Sequence, residues 1–170
     1  DDITDGVSAM VQMGWANPNR MCIVGWSYGG YAALAGGALT PDTYKCVAAI
    51  AGVSDLNEML ATEKKEHGEG STTVAYWKLL IGDPKEDKEA IQAVSPSTLA
   101  ANFKVPVLLV HGTDDKVVPV RQSDLMHDAL KNAKKNVRYI RIPGDDHNLV
   151  DNNSRRQMLT ALRDFLAENI

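Results

Sequence analysis

The sequence predicts an α/β fold: a mostly parallel sheet of about four strands, flanked by helices. Three observations carry this. Short apolar runs alternate with longer segments of helical periodicity, the pattern of strands joined by crossover helices. One run leads into Gly25-Trp26-Ser27-Tyr28-Gly29-Gly30, a serine set among glycines between strand and helix. The other chemically suggestive residues each follow a predicted strand, at the edge where open α/β sheets place their sites.

The elements follow in order. Ile3, Val7, Met10 and Val11 recur at helical spacing, and Gly14 is the stop. Ala16 to Asn19 is a turn. Met21 to Val24 is the first strand, and a small-residue helix runs from Ser27 to about Ala38. Cys46 to Ala51 is the second strand, closed by Gly52. Residues 55–95 break the rhythm and are expected to form a lid-like or inserted segment of the one domain, 1–170. Within it, Glu63 to Gly70 is polar and glycine-bearing, so a mobile surface loop is expected. Thr72 to Ile81 predicts a short amphipathic helix carrying Tyr76 and Trp77, broken by Gly82-Asp83-Pro84. Val105 to Val110 is the third strand. Pro119 opens the next helix, whose apolar face is Leu125, Met126, Ala129 and Leu130. Val137 to Ile142 is the fourth strand. A last helix from about Asn153 turns Met158, Leu159, Leu162, Phe165 and Leu166 inward.

The 170 residues suit one domain. A net charge of −4 argues against a nucleic-acid partner, which calls for a basic footprint. No apolar run is long enough to span a membrane, so no membrane partner is expected. The chain opens on Asp1-Asp2-Ile3 with no basic or apolar leader, and a cytoplasmic setting is favoured. A first residue other than Met suggests a processed or excised piece. Cys22 and Cys46 lie in or beside strands and read as buried free thiols. Neither has the Cys/His company of a zinc site, and no metal or other cofactor is expected.

Gly25-x-Ser27-x-Gly29 in a strand-turn-helix context is a nucleophile elbow. It lifts the serine over a helix N-terminus, where the Tyr28 N–H can stabilise an oxyanion. Serine needs an adjacent base. His147, in the loop Gly144-Asp145-Asp146-His147-Asn148, is the candidate; His111 at a strand end is the rival, with a packed structural role the simpler reading. His67 and His127 have no supporting context. An acid must orient the imidazole, and by residue type Asp114 and Asp115 both qualify. Asp145 and Asp146 read as loop formers. The order serine, acid, histidine is that of α/β-hydrolases.

These residues resemble the prolyl oligopeptidase family of serine peptidases. The likeness covers nearly the whole chain: the helix from Asp2 to Gly14, the elbow Gly25 to Tyr31, Tyr76 to Pro84, Ser95-Pro96, the run His111-Gly112-x-x-Asp115-x-x-Val118-Pro119, and the loop ending in His147. The Trp-Ser-Tyr elbow is most similar to the dipeptidyl-peptidase IV and acylaminoacyl-peptidase branches. The resemblance implies Ser27, Asp115 and His147 as the triad, and a truncated α/β-hydrolase lacking the family's early strands and β-propeller. It also implies that the second oxyanion donor lies in that absent region.

Trp26, Tyr28, Val53, Leu56, Met59, Val117 and Val118 are the expected pocket. Leu56 and Met59 stand where proline-selective branches place aromatics, so a broader preference for apolar or small acyl groups is expected. The function expected is serine-type hydrolysis of peptide or small acyl-ester substrates, weak or absent on unactivated peptides. The rivals are a carboxylesterase of the same fold and a non-catalytic fragment that self-associates. In that last reading the strand Met21 to Val24 becomes an open edge and recruits another copy, giving a homo-oligomer.

Overall fold

Four parallel strands in the order β1-β2-β3-β4 form the sheet of the computed structural model, which describes residues 2–170. They are β1 (Cys22–Trp26), β2 (Cys46–Ile50), β3 (Val107–Gly112) and β4 (Val137–Ile142). Helix α1 (Asp2–Gln12) precedes β1, and α2 (Tyr28–Leu39) joins β1 to β2. The β2–β3 connection holds α3 (Leu56–His67), α4 (Thr72–Ile81), α5 (Lys88–Ala93) and a short 3-10 turn, Ala100–Asn102. Helix α6 (Arg121–Asn132) joins β3 to β4, and α7 (Asn152–Asn169) follows β4. The α/β fold expected from the sequence is the one observed.

The two-residue period of the strands divides the core into two layers. Val47, Ala49, Val107 and Leu109 meet Ala33 and Leu34 of α2, Met126 and Leu130 of α6, and Phe103. The alternate residues Ala48, Ile50, Leu108 and Val110 meet Met158 and Phe165 of α7. Strands β2 and β3 are buried throughout, as a parallel sheet covered on both faces requires. Strand β1 lies at one edge, with Val24 exposed. Helix α1 has no buried residue, and Ile3, Met10, Met13 and Trp15 are exposed.

Three expectations need correction. Cys22 and Cys46 are not free thiols: they form a disulfide, with Cα atoms 4.7 Å apart. They face each other in the β1–β2 register, and spacing of that order is what a bridge needs. Glu63 to His67 is not loop but the last turns of α3, because Glu and Lys favour helix whatever their polarity. Leu159 is not inward: it is exposed, while Met158 and Phe165 carry the inner face of α7.

Residues 55–95 build a small core of their own. Leu56 and Leu60 of α3 and Ile91 of α5 pack with Val53 after β2 and Val118 after β3. The segment thereby stands against the loops that leave the C-terminal ends of the strands. Asp55 caps α3 by accepting the Glu58 N–H (3.0 Å). Buried Gln122 holds the start of the segment to α6, its side-chain oxygen accepting the N–H groups of Ser54 and Asp55, each at 2.8 Å.

Candidate active site

Ser27 sits at the apex between β1 and α2 with φ 58° and ψ −120°, a conformation rare for a residue with a side chain. Such strain is characteristic of functional positions. The turn is held by the Ser27 N–H donating to the Ile50 carbonyl (2.8 Å) and the Tyr31 N–H donating to the Ser27 carbonyl (3.1 Å). Gly25 is required by space, since a Cβ there would lie 1.8 Å from the Gly29 carbonyl oxygen. Tyr28 opens α2, and first-turn N–H groups have no partner within a helix.

His147 reaches this serine from the loop after β4. Its Nε2 is 2.9 Å from Ser27 Oγ and its Nδ1 is 2.7 Å from Asp115 Oδ2. A carboxylate can only accept, so Nδ1 carries the proton and Nε2 is free to accept from the hydroxyl. Asp115 is fully buried at its side chain. Its Oδ1 accepts the N–H groups of Val117 and Val118, both at 2.8 Å, which turns the carboxylate inward. Asp114 instead meets Thr113 at the exposed side (3.2 Å).

His111, the rival base, does not approach Ser27. It is wholly buried, with Nε2 donating to the Val118 carbonyl (2.8 Å) and toward Asp115 Oδ2 (3.1 Å), and Nδ1 accepting from Ser123 Oγ (2.7 Å). It therefore supports Asp115 from behind. Burial pushes the Asp115 pKa up, but the His111 and His147 hydrogen bonds, aided by the Val118 and Val117 N–H groups, outweigh it and hold the carboxyl below its ordinary value.

The loop carrying His147 is fastened on several sides. Gly112 lets it approach: a Cβ there would lie 2.4 Å from the Asp145 carbonyl oxygen. The Gly144 N–H donates to Thr113 Oγ1 (2.9 Å), and buried Leu149 anchors the far end. The Trp26 indole N–H donates to the His147 carbonyl (3.0 Å).

A cavity of about 480 Å³ opens beside Ser27. Of the residues named for the pocket from sequence, Tyr28, Val53, Leu56, Met59, Val117 and Val118 line it, and Tyr31, Trp77, Leu80 and Glu63 line it too. Trp26 does not line it. The strand period puts Trp26 with Cys22 on the face covered by α7, so it packs there and holds the histidine loop. No group of His, Cys, Asp or Glu among the described residues is arranged to hold a metal ion.

Comparison with known proteins bears on this arrangement. The prolyl oligopeptidase family matches residues 1–170, the entire chain. The chain belongs to that family. Its relatives include the dipeptidyl aminopeptidase BIII of Pseudoxanthomonas mexicana, 31% identical over 177 residues, covering 99% of this chain and 24% of the relative. Among solved structures, a puromycin-hydrolysing peptidase of Mycobacterium tuberculosis superposes with a TM-score of 0.83 at 29% identity, covering 96% of this chain and 24% of that one. The uncomplexed acylaminoacyl peptidase of Pyrococcus horikoshii gives a TM-score of 0.85 at 25% identity, over 99% of this chain and 27% of that one. The chain thus spans about a quarter of the length of these prolyl oligopeptidase relatives. The family is one of serine peptidases, and the chain has its α/β-hydrolase fold.

Proposed function

We propose that this chain carries the nucleophile of a serine hydrolase that cleaves peptide or acyl-ester bonds, with Ser27, His147 and Asp115 as its catalytic triad. The observation that supports this most is the unbroken hydrogen-bonded series from Ser27 Oγ through His147 to buried Asp115. Ser27 Oγ forms a bond to the acyl carbon while its proton passes to His147 Nε2. The Tyr28 N–H meets the oxyanion. Asp115 stabilises the imidazolium, and Nε2 then gives the proton to the departing amine or alkoxide. A water, deprotonated by the same nitrogen, attacks the acyl-enzyme and releases the acid and Ser27.

The cavity wall supports an acyl-side residue with an extended apolar stretch rather than a strict proline. Labelling with a fluorophosphonate probe tests the proposal. Ser27-dependent labelling, abolished in Ser27→Ala, is the expected result; a folded wild-type chain that stays unlabelled would contradict it. No helix among the described residues is long and apolar enough to cross a membrane. The Cys22–Cys46 disulfide supports an oxidising compartment over the cytoplasmic setting favoured from sequence.

A further inference from the structure

The cavity beside Ser27 is walled by apolar and aromatic side chains with a single charged exception, Glu63. Leu56, Met59 and Glu63 stand at i, i+3 and i+7 on α3, so all three present one face. Leu56 is buried, and Met59 packs in the same cluster. Glu63 takes the next place on that inward stripe, with its side chain only 16% exposed. Behind it lies a smaller hollow that shares Val53, Met59, Val117 and Val118 and reaches Pro119 and Gln122. Glu63 lines both spaces.

A carboxylate withdrawn from water onto an apolar wall costs free energy unless it is paired. Its ion-pair partner is His67, one turn along α3, at 3.5 Å and half exposed. A pair of that kind stabilises little. Lys64, Lys78 and Arg121 are paired elsewhere: Lys64 is 2.6 Å from Glu69, Lys78 is 3.0 Å from Asp83, and Arg121 is 2.7 Å from Glu58. That pair gives Glu63 little stabilising role.

We infer that Glu63 determines specificity, selecting substrates whose acyl-side residue carries a cationic side chain, lysine or arginine. This rests on the hydrolase reading above and names its substrate class. Lysine and arginine have a long apolar stem and a charged tip. The wall matches that order, with Val53, Leu56 and Met59 for the stem and Glu63 for the tip. Trp77 and Tyr31 add aromatic side chains to the same wall, a residue type that favours a cation. A substrate's free α-ammonium group is the other source of positive charge, but it has no stem to fill the apolar stretch.

The test compares 4-nitrophenyl esters of Nα-acetyl-arginine, Nα-acetyl-citrulline and Nα-acetyl-leucine on the full chain and on Glu63→Gln. Citrulline keeps the shape of arginine and removes its charge. Arginine is expected to exceed citrulline in kcat/KM by about tenfold or more, the size of a hydrogen bond to a charged group. Glu63→Gln is expected to bring that ratio to about one by lowering turnover of the arginine ester more than that of the citrulline ester, and Ser27-dependent fluorophosphonate labelling of the variant shows that it is folded. Glu63→Lys is expected to turn the preference toward an aspartyl ester. A wild-type ratio near one, or a ratio that Glu63→Gln leaves unchanged, overturns the inference and leaves the hydrolase reading intact. Glu63-dependence seen only with unblocked esters would assign the α-ammonium instead and overturn the side-chain assignment. Absence of Ser27-dependent turnover on every ester overturns both readings together.

Discussion

Asp115 shows how several weak partners fix one side chain. Two histidines and two backbone N–H groups converge on its carboxylate, and together they hold its pKa below the ordinary value. The unfolded chain returns it to about 4. Stability from this group is therefore fully present above that value and is lost as pH falls through the lower, folded pKa. Urea unfolding of wild type and Asp115→Asn is expected to differ at pH 6 and to converge as pH falls below about 4; a gap that stays constant with pH would contradict the linkage. In ester turnover, Asp115→Asn is expected to lose about 10⁴ in kcat, because the imidazole then adopts the wrong tautomer. Ser27 and His147 were legible in sequence because glycines and strand ends marked their loops. The choice of Asp115 over Asp114 came only from the family resemblance, since by residue type both qualify and the choice turns on which carboxylate accepts the following N–H groups. Glu63 was hidden in a polar run whose helical face only packing reveals.

At the scale of elements, apolar runs bounded by turn residues placed every strand to within about two residues. Strand β3 starts at Val107 rather than Val105, since Pro106 has no N–H and contributes its carbonyl to the Val47 N–H (3.0 Å). Register was not legible, and with it went the disulfide. Two cysteines 24 positions apart show no pairing until β1 and β2 are laid side by side. A loop of that length is expected to stabilise the fold by about 3.5 kcal/mol through the unfolded state. Denaturant unfolding of the oxidised chain against a Cys22→Ala/Cys46→Ala variant measures this; equal midpoints would show the bridge to be idle.

For the whole molecule, the sheet is covered well at its centre and poorly along one margin. Strand β1 is an edge, and α1 beside it in sequence buries none of its residues. Val24 of this edge strand is exposed, and so are Ile3, Met10, Met13 and Trp15 on and just after α1. Unpaired edges with apolar surroundings recruit another strand. The chain in isolation is expected to associate with a second copy through residues 21–24, and light scattering is the check. A clean monomer at micromolar concentration would count against it, whereas Val24→Lys should restore a monomer if the edge is the contact. The class of fold was legible in the alternation of strands and helices, but this imbalance was not, because it depends on which elements remain uncovered.

The bond from the Trp26 indole to the His147 carbonyl also gives the molecule an optical gauge. Trp26 adjoins the nucleophile in sequence and touches the loop of the base. Trp77 lies on the cavity wall, while Trp15 is 73% exposed and senses only solvent. Emission should therefore shift when Ser27 is acylated, by an amount that Trp26→Phe reduces and Trp15→Phe does not. A stopped-flow trace with an active-site ester would then time the occupied state directly, with no reporter group added. An emission spectrum unmoved by stoichiometric labelling would show that the histidine loop holds still throughout.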